Sequence, residues 1–294
     1  MKVKQQVKDC LVKEGSRFRL AQRPTLIKSA YTSPEHYEEK MAAYRAELSA
    51  HQNLLFAHGR YSLLLIFQGM DTSGKDGAIK EVMAGVNPQS SQVHSFKSPS
   101  QEELRHDYLW RSHRYFPERG FIGIFNRSYY EEVLIARVDP EVLKQQNLPK
   151  ELASSKRLWK ERFSDIINME DYLYRNGTRV VKFFLHISMG EQKKRILARI
   201  DDPKKSWKVS RADIDGRLKW RAYQKANEEC LRATSRSKAP WYVIPADDKK
   251  TARLIISKVI VETLKALPLA YPSVDAARTQ ELNSLRRQLL KEKR

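Results

Sequence analysis

A strand-like run, Ser62-Leu-Leu-Leu-Ile-Phe-Gln68, leads directly into Gly69-Met-Asp-Thr-Ser-Gly74-Lys75-Asp76-Gly77 and then into the helix-prone Ala78-Ile-Lys-Glu-Val-Met-Ala84. The unbroken apolar run predicts a parallel strand covered on both faces. A Gly-x4-Gly-Lys spacing between such a strand and a helix is what a phosphate-binding loop requires. Its glycines let successive N–H groups curl around one phosphate, the helix N-terminus adds positive potential, and Lys75 supplies a mobile cation. With only 11 glycines in 294 residues, the motif does not arise from a glycine-rich background. Gly69, Thr72, Ser73, Gly74, Lys75, Asp76 and Gly77 are therefore candidate phosphate-binding residues, with Lys75 catalytic.

Further apolar runs follow at Phe121-Ile-Gly-Ile-Phe125, Val180-Val-Lys-Phe-Phe-Leu-His-Ile187 and Trp241-Tyr-Val-Ile-Pro245, with Gln92-Val-His-Ser-Phe96 a shorter candidate. Helices are predicted at about 75–85, 100–116, 129–138, 156–175, 190–200, 212–234 and 248–266. This alternation predicts an α/β fold with a central parallel sheet of about five strands flanked by helices. Residues 1–60 read as a helical N-terminal extension packing on the core, where Ser33-Pro34 opens a capped helix. No linker rich in Gly, Ser or Pro interrupts residues 61–270, so one P-loop domain is expected there, with 271–294 a basic helical tail.

Lys and Arg number 55 against 35 Asp and Glu, a net charge of +20, beside 41% hydrophobic residues. That balance excludes an acidic disordered chain and provides for a sizeable core. No stretch approaches the roughly 20 apolar residues of a membrane span, and the start has no apolar secretion segment. A cytoplasmic protein with no membrane partner is expected. Cys10 and Cys230 lie far apart without CxxC spacing, which provides neither a disulfide framework nor a zinc site. Nucleic acid, an anionic membrane and a polyphosphorylated substrate would each suit the excess of positive charge.

Two departures from an ordinary phosphate loop carry information. Asp76 replaces the usual Ser or Thr after the lysine, and reads as a charge at the helix N-terminus. Asp71 sits inside the loop, where an anion persists only by facing a metal, pairing with a cation or accepting from a substrate group. Asp71 is thus expected to orient an acceptor phosphate or its metal. Strand C-termini are where ligands bind in such sheets, and the third apolar run ends in Asn126-Arg127-Ser128-Tyr129-Tyr130-Glu131-Glu132. Arg127 is a candidate phosphate clamp, and one of Glu131 and Glu132 a Mg²⁺ ligand. The basic stretch from Lys193 to Arg211 occupies the slot of a kinase lid, placed at about 195–215.

In combination, Gly-Met-Asp-Thr-Ser-Gly-Lys-Asp-Gly, Asn-Arg-Ser-Tyr-Tyr-Glu-Glu-Val, Asp-Pro-Lys-Lys-Ser-Trp-Lys and Ala239-Pro-Trp-Tyr-Val-Ile-Pro-Ala-Asp-Asp-Lys249-Lys closely resemble the family-2 polyphosphate kinases over about residues 35–270. The resemblance implies a thymidylate-kinase-like P-loop kinase fold with a helical lid. It also implies Mg²⁺-dependent transfer of the terminal phosphoryl of inorganic polyphosphate to a purine nucleotide, with Mn²⁺ as a substitute metal. By position, Asp71, Lys75 and Arg127 would be catalytic, with Asp71, Glu131 and Glu132 toward metal. Asn126, Arg127, Ser128, Tyr130 and Glu131 would meet the nucleotide and its phosphates, and Arg199, Lys205, Lys208 and Arg211 would form the cationic wall of the lid. Asn126 and Glu131 stand where many members carry Asp and Asn. That version resembles the subgroup that accepts both AMP and ADP. A homo-oligomer, dimer or tetramer, is expected.

Two other readings were open to the residues. An ATP-dependent nucleoside monophosphate kinase shares the fold, but a small acceptor and one ATP do not call for so much positive charge. A nucleic-acid-binding protein would use the charge, yet no recognition helix or aromatic stacking platform is apparent, so no specific nucleic-acid partner is expected. Between residues 191 and 240, 15 Lys and Arg stand against 7 Asp and Glu, a concentration suited to a linear polyanion leading to Lys75.

Overall fold

Burial on both faces accounts for the apolar run at residue 62. All seven residues of β1 (Ser62–Gln68) are buried in the computed structural model, which describes residues 2–292. Around β1 lie β2 (Ser91–Ser95), β3 (Ile122–Asn126), β4 (Thr178–His186) and β5 (Trp241–Pro245), in the order β2-β3-β1-β4-β5 with every pairing parallel. The helices are α1 (Lys2–Cys10), α2 (Pro34–His58), α3 (Lys75–Val82), α4 (Trp110–His113), α5 (Glu131–Val138), α6 (Pro140–Gln145), α7 (Lys150–Ala153), α8 (Leu158–Arg175), α9 (Met189–Ile200), α10 (Arg211–Leu218), α11 (Trp220–Thr234), α12 (Lys249–Lys265) and α13 (Ala276–Lys291). Strand alternation divides β1 between two cores. Leu63, Leu65 and Phe67 pack with apolar residues of α1, α2, α3 and α12, whereas Leu64 and Ile66 pack with those of α5, α8 and α11. The chain therefore has the α/β fold with a five-stranded parallel sheet that its alternating pattern predicts. Among the described residues, no helix is long and apolar enough to cross a membrane.

Two predicted helices take a different form. The single helix expected over 100–116 is a 3₁₀ turn at Glu103–Arg105 followed by the short α4. Ser100 and Glu103 exchange capping hydrogen bonds, but the Asp107 carboxylate then accepts from Leu109 N–H at 2.9 Å, a local turn that competes with helix continuation. The helix expected over 212–234 is broken at Lys219 (φ −88°, ψ 16°) into α10 and α11. Only α11 carries a sustained buried face, with Ala226, Asn227, Cys230, Leu231 and Thr234. Within the N-terminal extension expected to be helical, Val3, Val7 and Cys10 recur on one face of α1, and all three are buried in the core. Helix α13 is capped by Asp275, whose carboxylate accepts from Arg278 N–H at 2.7 Å, and buries none of its residues.

A buried ion pair ties β4 and the loop after β3 to α8. Lys182 of β4 donates to Glu170 of α8 at 2.6 Å, to the Tyr130 hydroxyl at 2.9 Å and to the Thr234 carbonyl at 2.9 Å, and is 0% exposed. The other Glu170 oxygen accepts from the hydroxyls of Tyr129 and Tyr130, each at 2.8 Å. Breaking such a pair leaves an uncompensated charge in the interior, so Lys182→Met is expected to lower unfolding free energy by about 3–5 kcal/mol. Urea unfolding monitored by circular dichroism measures this; a midpoint equal to that of the parent would show that the pair contributes nothing net.

Candidate active site

The order β3-β1-β4 brings the loops after β1 and β3 side by side at the carboxyl edge of the sheet, where such folds bind ligands. The loop after β1 turns at Gly69 (φ 147°), where a Cβ would lie 2.7 Å from the Leu185 carbonyl oxygen of β4. Only glycine fits that close approach. Further on, Thr72 holds φ 62° and Gly74 φ 101° before α3 begins at Lys75. Lys75 is buried, and its ammonium donates to the Gly69 carbonyl at 2.8 Å and to that of Met70 at 3.3 Å. Burial pulls its pKa down, against the opposing field of Asp71. The hydroxyls of Thr72 and Ser73 are buried with no hydrogen-bond partner among the described residues.

From the loop after β3, Arg127 approaches in a left-handed conformation (φ 63°), its N–H bonded to the Phe67 carbonyl at 3.0 Å. Its guanidinium donates to the Asp71 carboxylate at 2.8 Å. Glu131, the first residue of α5, lines the same small cavity as Asp71, Arg127, Gln68 and Tyr223. Burial raises the Glu131 pKa despite the facing cations of Arg127 and Lys75. Against the pull of burial, Glu131, Asp71 and Asp76 raise that of Arg127. The Tyr223 hydroxyl is pushed up to about 12 by burial and then by Asp71 and Glu131. Asn126 donates to Asp76 at 2.8 Å, which ties the end of β3 to the first turn of α3. A cavity of about 470 Å³ opens beside this point, between the loop 71–77, Ser95–Ser98 and Arg127.

A third cavity, of about 320 Å³, adjoins it, sharing Thr72–Gly74, Asp76, Gly77 and Arg199. Arg195 and Arg199 of α9, Lys205 and Lys208 of the segment after it, and Lys249 and Arg253 of α12 line it together with Thr72–Gly74. The pKa of Lys249 is lowered by burial and then by Arg195, with Arg253 and Arg199 adding to the effect. This crowding of cations is relieved by an anion and by nothing apolar.

Four of the residues singled out from the sequence stand elsewhere. Tyr130 is 0% exposed and its hydroxyl is taken by Glu170 and Lys182, so it braces the loop after β3 from behind. Ser128 is also 0% exposed, accepting from Gln68 at 3.1 Å and from Tyr130 N–H at 3.2 Å. Glu132 faces away from Asp71: it accepts from Arg111 at 2.9 Å and from Gln146 at 2.5 Å, and its backbone carbonyl accepts from Arg162. On a helix, adjacent residues point in directions about 100° apart, which is why only one of the two glutamates reaches the cavity. Arg211 is largely exposed and pairs with Asp215 at 3.1 Å outside all three cavities. By contrast Arg195, Lys249, Arg253, Gln68 and Tyr223 line the site without having been singled out. Arg195 and Arg199 are an i, i+4 pair and so share a helix face, a signal the sequence did carry.

Comparisons with known proteins agree on one family. The family Polyphosphate kinase 2 matches residues 31–270. The ADP-polyphosphate phosphotransferase of Rhodopseudomonas palustris is 51% identical over 291 residues, covering 99% of this chain and 100% of the relative. The AMP/ADP-polyphosphate phosphotransferase of Meiothermus ruber is 41% identical over 239 residues, 81% of this chain and 85% of the relative. Among solved structures, the crystal structure of Polyphosphate Kinase 2 from Arthrobacter aurescens TC1 superposes with a TM-score of 0.83 at 37% identity, covering 94% of this chain and 95% of that one.

The raised pKa of Glu131 has a consequence for stability. A carboxyl that holds its proton more tightly when folded stabilises the native state below its unfolded value, ordinarily 4.5, and that contribution is lost as pH rises through the folded value. Glu131→Gln is therefore expected to melt above the parent at pH 8, with the gap closing toward pH 4. Thermal unfolding across that range measures the gap, and a variant melting below the parent at pH 8 would contradict the assignment.

Proposed function

The chain belongs to the polyphosphate kinase 2 family, and we propose that it transfers the terminal phosphoryl of inorganic polyphosphate to AMP and ADP. One observation carries this reading: the cavity against Thr72–Gly74 is walled by six cations from three segments, more than one nucleoside triphosphate needs and suited to a linear polyanion. The donor end would lie in the curl of the loop 69–75, with the rest of the chain running between Arg199, Lys205 and Lys208 on one side and Lys249 and Arg253 on the other. The acceptor would enter from the opposite side, its phosphate meeting Arg127. In the reaction an oxygen of the acceptor phosphate bonds to the terminal phosphorus, the P–O–P bridge breaks, and polyphosphate leaves one residue shorter. The work of the protein is then positioning and charge stabilisation, with Lys75 and Arg127 meeting the charge that develops.

We assign Mg²⁺ to the carboxylates of Asp71 and Glu131, which line one cavity. The donor set fits, because Mg²⁺ is ordinarily held by one or two carboxylates with waters and phosphate oxygens rather than by a dedicated protein cage. Among the described residues no group of three His, Cys, Asp or Glu forms such a cage. Bound there, the ion would neutralise phosphate oxygens. Asp71 and Glu131 would hold the ion, and the Arg127 guanidinium would meet the acceptor phosphate.

The segment from α9 to α10 serves in this reading as the lid, within a catalytic unit of residues 61–270 flanked by an N-terminal extension and a basic tail. A cytoplasmic homo-oligomer completes the proposal. The exposed Leu282, Leu285 and Leu289, at helical spacing on α13, support self-association.

Purified protein incubated with long-chain polyphosphate, Mg²⁺ and either AMP or ADP, with ATP omitted, is expected to form ADP or ATP. Product appearing only with ATP as donor would overturn the reading. Lys75→Met is expected to lower kcat by on the order of 100–1,000-fold, and rising salt is expected to weaken polyphosphate binding steeply.

A further inference from the structure

The walls of a phosphate-binding loop pose a polar problem that the loop cannot solve by itself. When its N–H groups converge on the phosphate, its carbonyls point outward, and buried carbonyls require donors. The carbonyls of Thr72 and Ser73 point into α9, where Arg195 is 7% exposed. One nitrogen of its guanidinium, Nη1, donates to both, at 3.2 Å and 2.9 Å. The other, Nη2, donates to the carbonyls of Ala246 at 2.6 Å and Asp247 at 3.2 Å, in the loop after β5. Nε donates to Glu191 at 2.7 Å, one helical turn earlier.

A guanidinium has five N–H donors, and all five are engaged with protein acceptors. Arg195 therefore stands beside the donor cavity with no hydrogen left to offer a phosphate, unlike Arg199 one turn further on. Its place is close: a Cβ on Gly74 would lie 3.5 Å from Nη1. Thr72 is held at φ 62°, a conformation that costs a non-glycine residue energy and persists only when its surroundings enforce it.

We infer that Arg195 is the positioning residue of the phosphate-binding loop, a staple that fixes the outward carbonyls of Thr72 and Ser73 to the loop after β5 so that the inward N–H groups are preset for phosphate. A lysine retains charge and stem but carries one nitrogen, which cannot span two loops.

The kinetic part of the test rests on the function proposed above; the exchange part does not. In Arg195→Lys, kcat for transfer from polyphosphate is expected to fall by on the order of 100-fold with KM for polyphosphate little changed, as for loss of geometry rather than of a ligand. In Arg195→Ala, added guanidinium is expected to restore part of kcat. Amide hydrogen exchange over residues 69–78 is expected to be faster in Arg195→Lys than in the parent, with exchange over β1 unchanged. Unchanged exchange over 69–78 would overturn the inference whatever reaction the enzyme catalyses. A loss expressed only as raised KM for polyphosphate would overturn it too, by making Arg195 a direct phosphate ligand. Were Arg195→Ala not to fold, Arg195→Lys and its exchange pattern alone would decide.

Discussion

The contact between Gly69 and the Leu185 carbonyl is the constraint on which the rest of the site depends. Because β1 lies between β3 and β4, the chain leaving β1 has to turn in the narrow space above its neighbour, and a Cβ there would stand 2.7 Å from a backbone oxygen. The turn puts Thr72 and Gly74 in left-handed conformations and starts α3 at Lys75, so the curl and the lysine come from the same packing event. It also explains why the adjacent loops matter. Arg127 docks its N–H on the Phe67 carbonyl of β1, and Arg195 grips the loop from the other flank.

Two electrostatic regimes meet at this loop. On the side of α9 and α12 the field is cationic enough that Lys249 is pushed down by its neighbours as well as by burial. Toward α5, carboxylates dominate: Asp71 and Glu131 raise Tyr223 and hold Arg127 up. A polyanion suits the first side and a cation the second, so in the proposed reading the loop stands between the donor and the metal. In the proposed reaction the transferred group crosses that boundary.

Much of this was legible in the sequence, and the remainder was not for identifiable reasons. Residues 62–77 fix a strand, a turn and a helix through local rules of apolar continuity, glycine spacing and helix entry, and those elements stand where the pattern puts them. Asp71, Arg127 and Glu131 were legible as chemistry that needed partners. Which of Glu131 and Glu132 faces the cavity was not legible, since it depends on the rotation of α5, and that rotation is set by Arg111 and Arg162, which approach from remote parts of the chain. Tyr130 and Ser128 were implied as site residues by their place in the same family motif as Arg127. The ion pair of Lys182 and Glu170 that buries Tyr130 is a tertiary event no local pattern announces. Lys249 and Arg253 belong to a helix distant in sequence, and only the closing of the sheet by β5 brings them to the loop.

The exposure of the Arg127 and Asp71 pair bears on how the site can turn over. Both side chains are 39% exposed, and their contact is a single hydrogen bond of 2.8 Å. A pair so open to water contributes about 0–1 kcal/mol, whereas a charge-assisted hydrogen bond to a phosphate contributes about 1.5–3 kcal/mol. In the proposed reaction, exchanging Asp71 for an acceptor phosphate on Arg127 would therefore forfeit little. Had the pair been buried like Lys182 and Glu170, separating it would cost about 3–5 kcal/mol and would oppose each turnover. In the proposed reading, the fold thus places a buried ion pair where the structure must not move and an open one where substrate would intervene.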